Sequence, residues 1–460
     1  MMSPRACSAI TVGVLALTLA IAPLSGTRAQ SQSPEPAGPQ PPVSPTPPKP
    51  PVPDEPPPED GGPKAYVYTA DEAIEFFRQR VAKTPGDYIS LRYLGEMYER
   101  KARETGDFAA FGKAEETLRR AVALNPEIAR ARASLAAVLC SRHKFAEGLE
   151  IARALVRQYP KDIDAQSTMG DALLELGRYD EAESTYRNLE RLTPAPLPEV
   201  LARLANLAEL RGDVDGALAL MRRALDDVRK NRLPKDAAWF LARSGDMLFD
   251  AGAGKLDEAE AAYRAVPEGT DARHDATFGL GKVLAARGND AQALEQFRKA
   301  VAIGPDLHML AGLGDLYVRT GDLAKAEETF RRLEQEAVKQ AEHARDLVYF
   351  YADHDRELPR ALELARKELA SRADVFTRDA LAWALLKNGR AEEAALPIVE
   401  ALKVGTKDAK VHYHAGLIYA RLGDRDRART HLTAALATNP HFSILGPDDA
   451  RRALAALDRK

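Results

Sequence analysis

Two histidines two residues apart, His412 and His414 in "VHYHAG", are the residues that most invite a chemical reading. Paired imidazoles are a usual start for a divalent-metal site, and a single one for proton transfer. Helical geometry argues against a shared ion, because side chains two apart on a helix do not face each other. His412, three before Ala415, is expected against a neighbouring helix, and His414 is expected to point elsewhere. His354 in "ADHDRE" sits among acids and reads as a solvated hairpin turn rather than a metal ligand. "FGLGKV" imitates a phosphate loop but fails on spacing. Ala276 stands five before Gly281, and Val283 follows the lysine where Ser or Thr is needed. Neither His-Glu-x-x-His nor Gly-x-Ser-x-Gly occurs. The expectation is a chain with no catalytic residue, no metal site and no cofactor.

The first residues read as an export signal. Arg5 precedes an apolar run from Ile10 to Ile21, Pro23 and Gly26 break it, and cleavage is expected after Ala29. The run is short for a membrane span, which needs about 20 residues. Retention as an N-terminal anchor is the alternative. Cys7 lies before the apolar run, not at the cleavage point where a lipid-modified cysteine would be needed. Losing Arg5 and Arg28 with the signal takes the formal charge from −3 to −5. A mildly acidic chain does not suit nucleic acid as a partner. Cys140 is then the one cysteine left, so neither a disulfide nor a cysteine-based zinc site can staple the fold. Residues 30–65 are dominated by proline, as in "PQPPVSPTPPKPPVPDEPPPEDGGP". Such a segment cannot bury a core and should form a partly extended tether. It would reach up to roughly 90 Å, with about 3.1 Å for each fully extended residue. No second hydrophobic stretch follows it, so no transmembrane helix is expected in the mature chain.

The histidines make sense once the elements that carry them are found. Pro126, Pro160 and Pro194 recur at a fixed interval, and "LGRYDEAESTYRNL", "RGNDAQALEQFRKA" and "TGDLAKAEETFRRL" share one pattern. Each has a turn glycine, a polar pair, an alanine and, four residues on, an aromatic. Upstream sits a large–small pair with an apolar residue three further on. Examples are Met169-Gly170 with Leu173, Leu313-Gly314 with Tyr317, and Ala415-Gly416 with Tyr419. Apolar spacing of three and four makes a helical stripe. The small residue lets a second helix approach, and an aromatic such as Tyr186 fills the gap between the two. The closing proline cannot continue the helix.

This pattern resembles the tetratricopeptide repeat family over almost all of residues 66–460. The resemblance implies an all-α, right-handed superhelical solenoid of antiparallel helix hairpins, about ten units over residues 87–440. Single capping helices are expected at 70–85 and 447–458. Unit one carries about seven extra residues in "KARETGDFAAFG", enough for one more turn in each helix. Unit eight, around "YFYADHDRELPRALELARKEL", fits worst, and Pro397 should kink the second helix of unit nine.

Such a solenoid lines its inner face with the first helices. The positions expected there are Glu96, Asp171, Glu175, Asn206, Asp246, Asp250, Lys282, Asp315, Phe376, Trp383 and Tyr413. The groove thus tends acidic early and aromatic late. That suits a protein or peptide partner with a basic stretch and an apolar anchor. The same acids could equally be a solvated concave face, and Trp383 could seat the C-terminal helix. The expected function is a non-catalytic binding scaffold in the periplasm or outside the cell. The alternatives are a subunit of a secretion or polysaccharide-export assembly, a self-assembling rod, and a metal-dependent enzyme.

Overall fold

The computed structural model describes residues 69–458 except 106, 194–196 and 340–343. The expected signal, the tether and Pro194 lie outside the described residues. Helices account for the regular structure, and no strand occurs among the described residues. A single helix, α1 (Ala70–Lys83), comes first. Ten hairpins follow. They pair α2 (Tyr88–Thr105) with α3 (Phe108–Leu124), α4 (Ala129–Ser141) with α5 (Phe145–Gln158), and α6 (Ile163–Glu175) with α7 (Tyr179–Leu192). Next come α8 (Pro198–Leu210) with α9 (Val214–Asn231), α10 (Ala238–Asp250) with α11 (Leu256–Arg264), and α12 (Arg273–Ala286) with α13 (Asp290–Ile303). The last four are α14 (Leu307–Thr320) with α15 (Leu323–Lys339), α16 (Ala344–Asp353) with α17 (Leu358–Ser371), α18 (Val375–Lys387) with α19 (Ala391–Leu402), and α20 (Ala409–Arg421) with α21 (Arg425–Thr438). A final helix, α22 (Gly446–Asp458), closes the stack. No described helix is long and apolar enough to cross a membrane.

The local chemistry explains the hairpins. A Cβ at Gly170 would lie 2.3 Å from the Tyr186 ring, and one at Gly314 would lie 2.1 Å from the Phe330 ring. The missing side chain is therefore the slot that the aromatic of the second helix fills. Tyr186 and Phe297 are fully buried in it, as are Ala182 and Ala293 at the start of their helices. Helix starts are capped: Thr69 and Glu72 form a reciprocal capping box on α1, and the carboxylates of Asp162, Asp374 and Asp408 accept N–H groups of α6, α18 and α20. In unit one, α2 and α3 have 18 and 17 residues, against 13 and 14 for α6 and α7. The insertion is absorbed as about one turn per helix. In unit eight α16 is short, at 10 residues, and α19 runs unbroken through Pro397.

The superhelix winds tightly enough to touch itself. The Ala373 N–H donates to the Glu175 carbonyl at 3.0 Å, and the Val375 N–H donates to the Tyr179 hydroxyl at 2.8 Å. Asn439 donates through Nδ2 to the Phe249 carbonyl at 3.1 Å. Units three to five thus lie against units eight to ten. Three turn glycines carry this seam. A Cβ on Gly177 would meet the Ala373 carbonyl oxygen at 2.5 Å, and one on Gly212 would meet the Gly405 oxygen at 2.7 Å. One on Gly252 would meet the Thr438 oxygen at 2.1 Å.

Candidate partner-binding lumen

The first helices turn their charged positions toward the superhelix interior, and there the charges find one another. Asp171 on α6 accepts from Arg203 on α8 through both oxygens, at 2.7 and 2.8 Å, and from the Tyr186 hydroxyl at 2.9 Å. Asn206 accepts from Arg243 on α10 at 3.1 Å, and Arg243 also binds Glu209. Asp246 accepts from Lys282 on α12 at 3.1 Å and from the Tyr263 hydroxyl at 2.7 Å. His354 Nε2 lies 3.0 Å from Asp315. Asp379 on α18 receives the Tyr349 hydroxyl at 2.8 Å and the His414 ring at 2.9 Å. In most of these pairs the acid belongs to one unit and the base to the next, 32 to 36 residues further along. A buried charge is tolerated only when paired, so this ladder neutralises an otherwise acidic lining.

The histidines belong to this network. His414 was expected to point away. It is instead fully buried, bonded to Asp379 and stacked on Trp383 with ring centres 4.1 Å apart. His412 lies beside His431, with Nδ1 atoms 2.9 Å apart. His354 is not a solvated turn residue: it packs on Phe330 at 4.3 Å and Phe350 at 5.1 Å. His412 thus faces the second helix of its own hairpin, as expected, whereas for His414 and His354 packing between units, which the local sequence does not display, decides the side chain's direction.

The expected groove positions separate into five places. Glu96 binds Arg92 and Ser134 near the N-terminal end. Asp171, Asn206, Lys282 and Asp315 are taken up in the ladder. Glu175 lies in the seam, 3.2 Å from Arg372, where burial pushes its carboxyl up to about 7 against the pull of that guanidinium. Asp246, Asp250 and Phe376 line a cavity of about 160 Å³ at the centre of the superhelix. Arg345, Tyr349, Asp408 and Lys410 line it too, with Arg345 over the Phe376 ring. Burial pushes the Asp250 carboxyl up to about 7; Lys282 opposes this, and Glu209 and Asp246 add to it. Trp383 and Tyr413 are buried in a cluster with Ala450 of α22. The Trp383 ring N–H donates to Asp353 at 2.8 Å, and the Tyr413 hydroxyl donates to Asp449 at 2.8 Å. A cavity of this size is smaller than the few hundred cubic ångströms of an ordinary ligand pocket. Between the seam-forming units the groove is therefore nearly filled by its own side chains.

Sequence reasoning passed over Arg203, Arg243, Arg345, Arg372 and Lys410. For Arg203 and Arg243 a usable signal existed, a basic residue 32 to 34 residues after an inner acid; Arg372 meets Glu175 from 197 residues away, and no local spacing announces it.

Family models described as tetratricopeptide repeat match residues 102–163, 167–232, 250–308, 307–335 and 409–442, more than half of the chain. Among curated proteins, cellulose synthase operon protein C of Escherichia coli (strain K12) is 27% identical over 331 residues, taking in 61% of this chain and 27% of the relative. Cellulose synthase 2 operon protein C of Komagataeibacter xylinus is 32% identical over 121 residues, 26% of this chain and 9% of the relative. The match thus spans about a quarter or less of each relative's length. Among solved structures, the APC/C hetero-tetramer Cut9-Hcn1 aligns with 84% of this chain and 93% of that chain, at 14% identity and a TM-score of 0.30. MamA aligns with 35% of this chain and 90% of that chain, at 20% identity and the same TM-score. With its repeated helix hairpins and the family-model matches over more than half of its length, the chain belongs to the tetratricopeptide repeat family.

Proposed function

We propose that this protein is a non-catalytic scaffold of the cell envelope that docks onto other protein subunits of a polysaccharide-producing or polysaccharide-exporting assembly. The observation that carries this reading is the 331-residue match to cellulose synthase operon protein C. The geometry is compatible with it: polar side chains of the inner face are mostly engaged with one another, and the cavity is too small for a helix. The recognition surface in this reading is the rim of the lumen around Asp250, Asp408, Lys407 and Lys410, together with the open inner face of units one and two near Glu96. The N-terminal signal and proline tether would place the solenoid outside the inner membrane at a distance from its anchor or leader.

Cross-linking in cells, followed by mass spectrometry, tests this on the full chain. Recurrent cross-links from Lys407 or Lys410 to one other envelope protein are the expected result. Cross-links confined to copies of this chain would replace the scaffold with a self-assembling rod. Turnover of a substrate by purified protein would overturn the non-catalytic assignment.

A further inference from the structure

The start of α12 and the start of α14 bring three donor groups together away from the central cavity. His274 Nδ1 lies 2.7 Å from the Asp271 carbonyl oxygen. A carbonyl can only accept, so Nδ1 carries the proton and donates it. That leaves Nε2 directed at two carboxylates, 3.1 Å from Asp306 and 3.5 Å from Asp275. One donor atom from each of the three residues lies within 4.8 Å of the other two.

Two further details point to a ligand. Asp306 occupies the N-cap position of α14, where an aspartate ordinarily accepts a helix N–H. Its side chain makes no cap hydrogen bond and turns to His274 instead. Asp275 is 9% exposed, and its Oδ2 is buried with no hydrogen-bond partner. Buried carboxylate oxygens are seldom left so. With the imidazole neutral at Nε2, the two ionised carboxylates carry two negative charges, which a doubly charged cation balances.

We propose that His274, Asp275 and Asp306 bind a divalent transition-metal ion, Zn²⁺ above all, which ties the first helix of unit six to that of unit seven. Nitrogen and oxygen donors suit zinc, and three protein ligands leave one position for water. Donors held about 2.0–2.1 Å from a tetrahedral ion stand about 3.3 Å apart, between the two separations measured from Nε2. The Asp271 carbonyl supplies the outer hydrogen bond that orients a metal-ligating imidazole.

The test uses the full chain without a histidine tag, stripped with EDTA and dialysed against Zn²⁺ alone. Metal analysis should find one equivalent per chain. Calorimetry should show binding weakened at least 100-fold in His274→Gln and Asp306→Asn. His431→Ala, which removes the close imidazole pair of His412 and His431, should leave the equivalent in place. Co²⁺ in place of Zn²⁺ should give visible bands with a nitrogen–oxygen ligand set, lost in Asp306→Asn. Wild-type protein that takes up no ion overturns the proposal without recourse to any variant. So does an ion retained by a folded Asp306→Asn and lost in His431→Ala. Circular dichroism of each variant separates loss of the site from loss of the fold.

Discussion

The turn glycines of units three and four can be set against those of units six and seven. All four have positive φ: +70° at Gly177, +75° at Gly212, +78° at Gly288 and +84° at Gly321. Each ends a first helix in the same way, and the sequence around each is alike. Around Gly288 and Gly321 a Cβ would meet nothing within 4 Å, whereas at Gly177 and Gly212 it would strike the backbone of the opposing turn. One local device therefore does two jobs. Everywhere it lets the chain reverse between helices. In units three and four it also lets two turns of the superhelix approach backbone to backbone. The difference shows that the winding of this solenoid is fixed partly by repeats that are neighbours in space and not in sequence.

The largest expected effect comes from the charge that locks the seam. Arg372 is buried among Glu368 at 3.0 Å, Glu175 at 3.2 Å and Asp374 at 3.4 Å. Arg372→Ala strands buried carboxylates and should cost about 3–5 kcal/mol in urea unfolding. Arg287 makes the formally similar bonds to Asp257 and Glu260 away from the seam, with Asp257 97% exposed. Arg287→Ala should cost no more than about 1 kcal/mol. Equal losses would show that the seam carries no special load.

The glycine comparison comes next. Alanine in a left-handed conformation costs about 1–2 kcal/mol, which is all that Gly321→Ala should lose. Gly177→Ala and Gly212→Ala add an overpacking cost of about 1–3 kcal/mol. They should also raise the radius of gyration in X-ray scattering while helix content stays constant. If all three variants match in stability and size, the two turns do not meet in solution.

A pH effect on the seam should be smaller. Glu175 has its folded pKa raised from 4.5 to about 7, chiefly by burial. The folded state therefore holds a proton that the unfolded state releases between about pH 4.5 and 7. This group's contribution to stability falls as pH rises through that window and is greatest below it. Melting temperatures measured from pH 5 to 8 should decline less steeply in Glu175→Gln than in wild type. A wild-type slope unchanged by the substitution would mean that Glu175 stays ionised throughout.

Much of this was legible in the residues. Gly170 with Tyr186 and Gly314 with Phe330 announce a helix pair, since a missing Cβ and an aromatic four residues past an alanine have few other packings. The length of unit one follows from turn arithmetic, and α2 and α3 are each about one turn longer. The inner-face positions were legible as positions, while their surroundings were not. Asp171 reads as a free acid until Arg203 is seen beside it, and the arginine belongs to the next unit. His354 and His414 look polar in local sequence, yet packing between units buries His414 and half-buries His354.

The repeated sequence by itself determined the helices, the hairpins and the sides they present. Those depend on contacts within about one repeat length, where residue spacing and side-chain size are enough. Only the tertiary structure decided that the superhelix closes on itself, that its acids meet bases across units, and that His274, Asp275 and Asp306 converge. The closure depends on the small rotation between successive hairpins summed over several repeats, while the paired charges and the His274 cluster depend on how one hairpin seats on the next, 32 to 36 residues along. A sum of small rotations is set by many packing contacts together, so no single stretch of sequence carries it.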